Sequence, residues 1–173
     1  SVGGGIRMNS GCYNRKFKDI LLSVQAVDFL GNILQIPYEE IKFSYRSTDL
    51  PKDLIYLSAT FQGQNGDKEN IQNEMSRLKQ IKNDSQPSKI KTGGSTFKNP
   101  IGQTNKKVWQ LIKEAVPKDI SFGDATISKD HANFFVNKKN AKFDDMMSLI
   151  AYVKKSVKKK FNIDLELEII VVD

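Results

Sequence analysis

The sequence is poor in the residues that build disulfides and metal centres. Its 173 residues include one cysteine, Cys12, and one histidine, His131. A single cysteine cannot form a disulfide within the chain, which is typical of proteins in a reducing compartment, and we expect a cytoplasmic protein. A zinc site needs about four ligands, drawn mainly from cysteine and histidine, so we also expect no metal.

Long apolar runs are absent as well. No stretch approaches the roughly 20 apolar residues that span a bilayer, so we expect no membrane partner. Residues 1–5 carry neither the basic nor the apolar segment of a secretory signal. Gly3, Gly4 and Gly5 predict a glycine-rich, ligand-binding loop at the very start of the sequence. No strand precedes this loop to anchor it. We therefore interpret the chain as a fragment of a longer protein.

Acidic residues are fewer than basic ones. The chain has 20 Asp and Glu against 27 Lys and Arg, a formal net charge of +7. This excess favours an anionic partner, either a nucleic acid or a small molecule that carries a nucleotide. The lysines between residues 154 and 160 are better explained as the solvated face of a helix. Aromatic residues do not alternate with basic ones as they do on RNA-binding surfaces, so we expect no nucleic acid.

The spacing of apolar residues predicts an α+β fold. Strands are predicted at 20–27, 33–36, 53–61, 125–127, 133–136 and 165–172. Helices are predicted from 69 to just before Pro87, from about Asn105 to Pro117, and at 142–161. The segment 83–91 is the best candidate for a linker, and it divides a strand-rich part, 1–84, from an α+β part, 85–173.

The segment Lys91–Pro100 contains the most informative motif. Two glycines bring the backbone close to a ligand, and Ser95, Lys98 and Asn99 follow at once. A hydroxyl, an ammonium and a carboxamide can together hold a polar, anionic ligand. An ordinary connecting loop explains the same residues equally well when they are taken alone.

Three other positions carry groups that could take part in chemistry. Arg46, beside Tyr45, can bind a carboxylate or phosphate, although a surface arginine is the simpler interpretation. Glu168 lies on the same face of the predicted last strand as Ile170 and Val172, where burial would raise the pKa of its carboxyl. An exposed carboxylate at a sheet edge explains Glu168 equally well. The lone His131 is more typical of a structural residue than of a catalyst.

Five segments, in this order along the chain, resemble motifs of the UDP-N-acetylenolpyruvoylglucosamine reductases, the flavoenzymes of bacterial peptidoglycan synthesis. They are Ser1-Val-Gly-Gly-Gly-Ile-Arg-Met-Asn9, Phe43-Ser-Tyr-Arg-Ser47, Gly94-Ser-Thr-Phe-Lys-Asn-Pro100, His131-Ala-Asn-Phe-Phe-Val-Asn137 and Leu165-Glu-Leu-Glu-Ile169. The third is the most distinctive of the five. The resemblance implies a substrate-binding C-terminal domain, with helices packed on a sheet, at 85–173. It also implies the C-terminal part of a PCMH-type FAD-binding α+β domain at 1–84.

The resemblance further implies a hydride relay in which NADPH reduces FAD, and the flavin reduces UDP-N-acetylglucosamine enolpyruvate to UDP-N-acetylmuramate. In this relay Ser95 protonates the substrate carbon, while Arg46 and Glu168 stabilise the substrate carboxylate. The implied substrate contacts are Tyr45, Lys98, Asn99 and His131. The implied FAD contacts are Ser1, Val2, Gly3, Gly4 and Asn9. We expect a monomer.

Two of the chain's departures from the family pattern bear directly on its function. The family's upstream FAD-binding region is missing, so we expect the isolated chain to be inactive. A lysine that several members carry near Ser85 is missing too, and Lys82 or Lys89 are the candidates for its place on the diphosphate. Two alternatives therefore stay open. One is a non-enzymatic basic module that binds nucleotide or RNA, and the other is a fragment that binds the UDP-sugar without redox activity.

Overall fold

The structure, a computed structural model, describes residues 1–86 and 90–172. These residues form two compact units, Ser1–Asp67 and Lys68–Asp173. Each unit combines helices with antiparallel strands, which confirms the predicted α+β class. Lys89 and the middle of the predicted linker lie outside the described residues. No helix within the described ranges is both long enough and apolar enough to cross a bilayer.

The first unit is built around a three-stranded antiparallel sheet, flanked by a short helix and two small hairpins. Its elements are α1 (Val2–Arg7), β1 (Gly11–Cys12), β2 (Arg15–Lys16), β3 (Leu21–Val27), β4 (Ile33–Pro37), β5 (Phe43–Ser44), β6 (Ser47–Thr48) and β7 (Ile55–Phe61). The sheet has the order β4–β3–β7, and its core contains Ile6, Leu21, Val24, Ala26, Ile36, Ile41 and Leu54. The three strands of this sheet confirm the strands predicted in this part of the sequence.

A rigid turn joins β3 to β4. The Asp28 carboxylate accepts hydrogen bonds from the backbone N–H groups of Leu30 and Asn32, both at 2.9 Å. Hydrogen bonds from the side chain and backbone of Asn32 hold the pKa of Asp28 below its usual range. Gly31 has φ +88°, a left-handed conformation that costs glycine little. The turn therefore sets the register of β3 and β4 from local interactions alone.

The glycine loop predicted at the start of the chain is a helix in the structure. Ser1 caps α1, because its Oγ accepts a hydrogen bond from the Gly4 N–H at 3.2 Å. A Cβ at Gly3 would lie 3.0 Å from Tyr56, and one at Gly5 would lie 2.7 Å from the Phe17 ring. These two glycines thus allow α1 to pack closely on its own unit, and the open-loop prediction is wrong here.

The second unit contains a four-stranded antiparallel sheet and three helices. Its elements are α2 (Lys68–Ser85), β8 (Thr92–Ser95), α3 (Val108–Ala115), β9 (Ser121–Phe122), β10 (Ala125–Ile127), β11 (Phe134–Asn137) and α4 (Phe143–Phe161). The strand order is β8–β11–β10–β9, so β11 lies beside the edge strand β8. α3 and α4 pack on the sheet around a core that includes Phe97, Val108, Leu111, Phe135, Leu149, Val153 and Val157.

The helices of this unit confirm the predicted periodicity, with local corrections. Val153 and Val157 are fully buried on α4, whereas Phe143, at the first position of the helix, is exposed. α3 begins at Val108 rather than near Asn105, because hydrogen bonds at Val108 and Lys107 define its first turn. α2 forms as predicted, but no residue of its apolar face is buried.

The strand predicted at 165–172 is wrong. Within residues 1–86 and 90–172, this segment forms a single isolated antiparallel bridge, between Phe97 and Leu167. Leu165 is buried in the core, but Ile170 and Val172 are 80% and 81% exposed. A strand needs a partner of similar length, and the partner here is the short segment around Phe97. The apolar surroundings predicted for Glu168 from Ile170 and Val172 are therefore not formed by those residues.

Candidate active site

The Gly-Gly-Ser motif forms the end of an edge strand. β8 ends at Ser95, which lies opposite Phe134 of β11 in the antiparallel register. Gly94 has φ +86°, and no atom lies within 4 Å of the position that a Cβ would occupy there. The glycine is thus required by its backbone conformation rather than by a close contact within the chain. Ser95 is half-buried and lies directly after this turn.

The three residues after Ser95 lie between two other parts of the chain. We call this segment, Thr96–Lys98, the strap. On one side the Glu168 N–H donates to the Thr96 carbonyl at 2.8 Å, and the Lys98 N–H donates to the Glu166 carbonyl at 2.9 Å. The strap therefore holds the backbone of Glu168 across from Thr96, one residue beyond Ser95. Two of the three predicted catalytic residues are brought together in this way.

On the other side the strap contacts the turn before β11. The Thr96 N–H donates to the Asn133 carbonyl at 2.8 Å. The Asn133 side chain binds both backbone groups of Phe97: its Nδ2 donates to the carbonyl at 2.8 Å and its Oδ1 accepts from the N–H at 3.0 Å. Asn133 belongs to one of the five family-like motifs, but no role was expected of it from the sequence. Its position beside a histidine-containing turn was the only available signal.

Lys98 and Asn99 have identifiable partners within the second unit. The Lys98 Nζ lies 3.3 Å from Glu166 Oε2, in an ion pair that is exposed on the Glu166 side. Such pairs contribute at most about 1 kcal/mol to stability. The Asn99 Oδ1 accepts the Val108 N–H at 3.0 Å, so its side chain satisfies a backbone donor in the first turn of α3. Asn99 thus connects the candidate site to a helix N-terminus.

His131 lies in an aromatic environment next to the strap. Its ring centroid is 4.8 Å from that of Phe134 and 6.3 Å from that of Trp109. Burial lowers the pKa of His131, so the ring is neutral at pH 7. The His131 Nδ1 accepts the Asn133 N–H at 3.2 Å, which agrees with the neutral form. His131 is therefore connected to the strap through Asn133.

A cavity of about 670 Å³ opens beside His131. Its lining includes aromatic and apolar side chains, three lysines and two aspartates: Trp109, Ile112, Ile127, Lys113, Lys118, Lys129, Asp119 and Asp130. The lysines outnumber the aspartates, so these charged side chains are net positive. This combination suits a ligand that carries both a flat ring and negative charge. No motif of the sequence indicated these residues, although Trp109 is the only tryptophan in the chain.

Arg46 and Tyr45 lie in the first unit, on a two-residue turn between β5 and β6. Ser44 pairs with Ser47, so the two side chains project from the tip of a hairpin. Arg46 has φ +56°, and its Cζ lies 5.4 Å from the centre of the Tyr45 ring. A left-handed conformation costs a non-glycine residue about 1 kcal/mol or more, so the hairpin holds Arg46 in an arrangement that an isolated chain would disfavour.

The predicted cofactor contacts lie at α1 and directly after it. Asn9 follows α1 with φ +40° and is buried. Its Nδ2 donates to the Ser44 carbonyl at 3.1 Å, which joins α1 to the hairpin that carries Arg46. Within the described residues, the buried Asn9 Oδ1 has no hydrogen-bond partner. A buried acceptor without a partner is costly, and a bound molecule with an N–H or O–H group would satisfy it.

These contacts fit the predicted cofactor better than they fit a metal. Thr48 Oγ1 and Tyr56 Oη, in the same unit, are also buried without a partner in the described part of the chain. Each of these three atoms can form a hydrogen bond with a polar group. No group of three or more His, Cys, Asp or Glu side chains arranged to hold a metal occurs among residues 1–86 and 90–172.

The fold and the site define a two-unit α+β protein, in which a glycine turn and a serine lead into a strap that is hydrogen-bonded to the backbone of Glu168. The family model of the UDP-N-acetylenolpyruvoylglucosamine reductase C-terminal domain matches residues 86–172, and the chain belongs to this family. The match confirms the resemblance seen in the sequence motifs.

Individual relatives agree with this assignment. The UDP-N-acetylenolpyruvoylglucosamine reductase of Pelagibacter ubique (strain HTCC1062) is 59% identical over 98% of the chain and 56% of its own length. That of Rickettsia conorii (strain ATCC VR-613 / Malish 7) is 43% identical over the same shares. The crystal structure of the enzyme from Thermus caldophilus superposes with a TM-score of 0.81 and 32% identity, over 96% of this chain and 58% of that one. The chain thus spans about half the length of the relatives it matches.

Proposed function

We propose that this chain supplies the proton-donating part of an NADPH- and FAD-dependent UDP-N-acetylmuramate dehydrogenase. The reaction reduces UDP-N-acetylglucosamine enolpyruvate to UDP-N-acetylmuramate in the synthesis of peptidoglycan precursors, and we assign it to the cytoplasm. Family membership supports the reaction class. The observation that carries the proposal is the strap, which joins the backbones of Ser95 and Glu168 through the Thr96 carbonyl.

Ser95 is the proposed proton donor. Hydride addition to one carbon of the enolpyruvyl double bond leaves negative charge on its neighbour, beside the carboxylate. A serine hydroxyl is a weak acid, but such a carbon is a strong base, so proton transfer from Ser95 Oγ runs downhill. The half-buried position of Ser95 after the Gly94 turn leaves room for a substrate on the open side of that turn.

Arg46 and Glu168 are the proposed stabilisers of the substrate carboxylate as it becomes enolate-like. A guanidinium held on a rigid hairpin binds that charge more strongly in the transition state than in the ground state. Glu168 in this proposal supplies its side chain as a hydrogen-bonding group beside the developing charge. The backbone bond from its N–H to Thr96 supports the role by restricting where the carboxyl can lie.

The substrate contacts that we propose are Tyr45, Lys98, Asn99 and His131. We place the nucleotide end of the substrate in the cavity beside His131. The Trp109 ring can stack on a base, and the lysines around the cavity favour the negative charge of a diphosphate. Because Lys118 and Lys129 line this cavity, they join Lys82 as candidates for the missing family lysine.

The proposed FAD contacts are Ser1, Val2, Gly3, Gly4 and Asn9. FAD, when bound, supplies the hydride that it has received from NADPH. The unpartnered Oδ1 of Asn9 is the acceptor that best supports this assignment. We also propose a domain boundary between residues 84 and 85, which agrees with the start of the family match at residue 86. The compact units instead divide after Asp67, which assigns α2 to the second unit.

Stopped-flow kinetics of Ser95→Ala test the proposal, in the reductase expressed from its complete coding sequence. We expect NADPH to reduce the flavin at the wild-type rate, because that step needs no proton on carbon. Flavin reoxidation by the UDP-sugar should slow by about 10² to 10⁴, the usual loss when a general acid is removed. Ser121→Ala, on the short edge strand β9, is the matched control and should leave both steps unchanged. Normal reoxidation in Ser95→Ala would refute the role of Ser95.

Calorimetry of the isolated 173-residue chain with FAD tests whether the residues of this chain are enough to bind the cofactor. We expect weak or no binding and no NADPH oxidation, because the residues of α1 offer few contacts to a large cofactor. Tight stoichiometric binding would show that the flavin site lies within this chain.

A further inference from the structure

Asn133 has an unusual number of contacts for a residue without an assigned role. It is 3% exposed, and its main chain and side chain together take part in four hydrogen bonds. Three of these bonds go to the strap, to Thr96 and to both backbone groups of Phe97. The fourth is donated to the ring of His131.

The strap needs these bonds because the regular ladder ends before it. The pairing of β8 with β11 stops at Ser95 and Phe134. Beyond that point Thr96 and Phe97 are buried, at 2% and 1% exposure, and their backbone groups have no strand partner on this side. The Asn133 carboxamide presents one donor and one acceptor, as a peptide group would, and so replaces the missing strand.

The same segment connects to Glu168 on its far side. The Thr96 N–H donates to Asn133, while the Thr96 carbonyl accepts from the Glu168 N–H. A displacement of the strap at Asn133 would therefore move Thr96. It would shift both Ser95, which directly precedes Thr96, and Glu168, whose N–H is bonded to the Thr96 carbonyl. Catalytic groups usually have to be held within about 0.5 Å of their productive positions.

We propose that Asn133 is a positioning residue for the reductase, which locks the strap so that Ser95 and Glu168 reach the substrate together. The inference rests on the proposed function, since it concerns the residues assigned there. Asn133 itself acts through the strap and transfers no proton.

The chain contains a matched control for this role. Asn137, at the other end of β11, binds both backbone groups of Ala141: its Oδ1 accepts from the N–H at 3.0 Å and its Nδ2 donates to the carbonyl at 3.4 Å. The same carboxamide arrangement thus occurs at both ends of β11, at Asn133 just before the strand and at Asn137 in its last position, and of the two it is Asn133 that contacts the strap. Asn133→Ala and Asn137→Ala remove equivalent bonds at the two positions.

Amide hydrogen exchange tests the lock without any catalytic assay. We expect Asn133→Ala to speed exchange by at least tenfold at the N–H groups of Thr96, Phe97 and Glu168. Asn137→Ala should speed exchange near Ala141 and leave those three groups unchanged. If Glu168 exchanges at the wild-type rate in Asn133→Ala, the strap does not transmit the change and the proposal is wrong.

Single-turnover kinetics of the reductase from its complete coding sequence then test the consequence. We expect Asn133→Ala to slow flavin reoxidation by the UDP-sugar about 10- to 100-fold, with flavin reduction by NADPH unchanged. Asn137→Ala should change neither step. Equal slowing by the two variants would indicate a general loss of stability and would overturn the positioning role.

The variant Asn133→Asp should regain part of the flavin reoxidation rate at low pH, which a merely structural role does not predict. A protonated carboxyl there accepts from the Phe97 N–H and donates to the Phe97 carbonyl, whereas the ionised form leaves that carbonyl without its donor. Reoxidation by Asn133→Asp should therefore recover as the pH falls, relative to Asn133→Ala at the same pH. The nearby titratable or charged groups, His131, Lys98, Glu166 and Glu168, are the same in both variants, so their effects cancel in this ratio. A flat ratio would contradict the lock.

The same experiment separates this inference from the proposed function. If Ser95→Ala slows reoxidation and Asn133→Ala does not, the reductase assignment stands and the role of Asn133 is lost. If neither variant affects reoxidation, the proposed catalytic role of Ser95 fails first.

Discussion

Substitutions of Asn99 can separate its contribution to the stability of α3 from its proposed contact with the substrate. Its Oδ1 accepts the Val108 N–H at 3.0 Å, while its proposed substrate role depends on the carboxamide nitrogen as a donor. Asn99→Ala removes both groups. Asn99→Asp keeps the acceptor oxygen and loses the donor. The two variants should therefore separate the stability of α3 from the affinity for substrate.

The expected changes in Tm follow from the hydrogen bond that Asn99 makes to the first turn of α3. Loss of a side-chain acceptor for an N-terminal N–H costs about 1 kcal/mol, so Asn99→Ala should lower Tm by about 4 °C in a unit of this size. Asn99→Asp should unfold within about 1 °C of wild type, because a carboxylate near a helix N-terminus interacts favourably with the helix dipole. Both variants should raise KM for the UDP-sugar about tenfold or more, since a hydrogen bond to a charged ligand contributes about 1.5 kcal/mol or more.

Thermal unfolding followed by circular dichroism and steady-state kinetics on the same preparations provide the two measurements. Gln110→Ala is the control: its Oε1 accepts the neighbouring Lys107 N–H at 2.7 Å, and no substrate role is assigned to it. It should lower Tm and leave KM unchanged. If Asn99→Asp unfolds as early as Asn99→Ala, the role of Asn99 at α3 is wrong, and if KM stays at the wild-type value in both, its substrate role is wrong.

Three further predictions concern other parts of the site. Glu168→Gln should be milder than Glu168→Ala in the reoxidation step, because an amide keeps a donor near the same place; wild-type turnover in both variants would mean that the carboxyl is an ordinary surface group. UDP alone should quench the fluorescence of Trp109, the only tryptophan, and an unchanged spectrum at saturating UDP would argue against a nucleotide in this cavity. Because burial lowers the pKa of His131, the unfolded state binds its proton more readily, and unfolding free energy should decrease as the pH falls below the usual histidine pKa. His131→Phe should weaken that acid dependence, and an unaltered slope in this variant would show that other groups cause it.

Much of the secondary structure follows from local sequence signals. The strands β3 and β4 are rich in branched apolar residues, and a turn with Asp28 and Gly31 lies between them. The α4 helix carries a continuous apolar stripe, with an Asp145 carboxylate at its start and Asn162 in the left-handed conformation at its end. Such features act over a few residues, so they can be read before any tertiary contact is known.

The structure corrected expectations wherever packing partners decided the outcome. Gly3 and Gly5 suggested an open loop, but their lack of side chains lets α1 approach Tyr56 and Phe17. Alternation at 165–172 suggested a strand, but the chain offers only the strap as a partner. The role of Asn133 could not be read from its neighbours in the sequence, because its side-chain bonds reach a residue 36 positions away.

The sequence by itself determined the family, the α+β class and the residues able to carry chemistry, because motifs such as Gly94–Pro100 place a hydroxyl, a cation and an amide within one short turn. Only the tertiary structure decided how those groups are held. Glu168 reaches the Ser95 strap through a backbone bond across 72 residues of sequence, from its N–H to the Thr96 carbonyl. Hydrogen bonds of this kind form because buried backbone groups must find partners, and which partners are near depends on the packing of the whole unit.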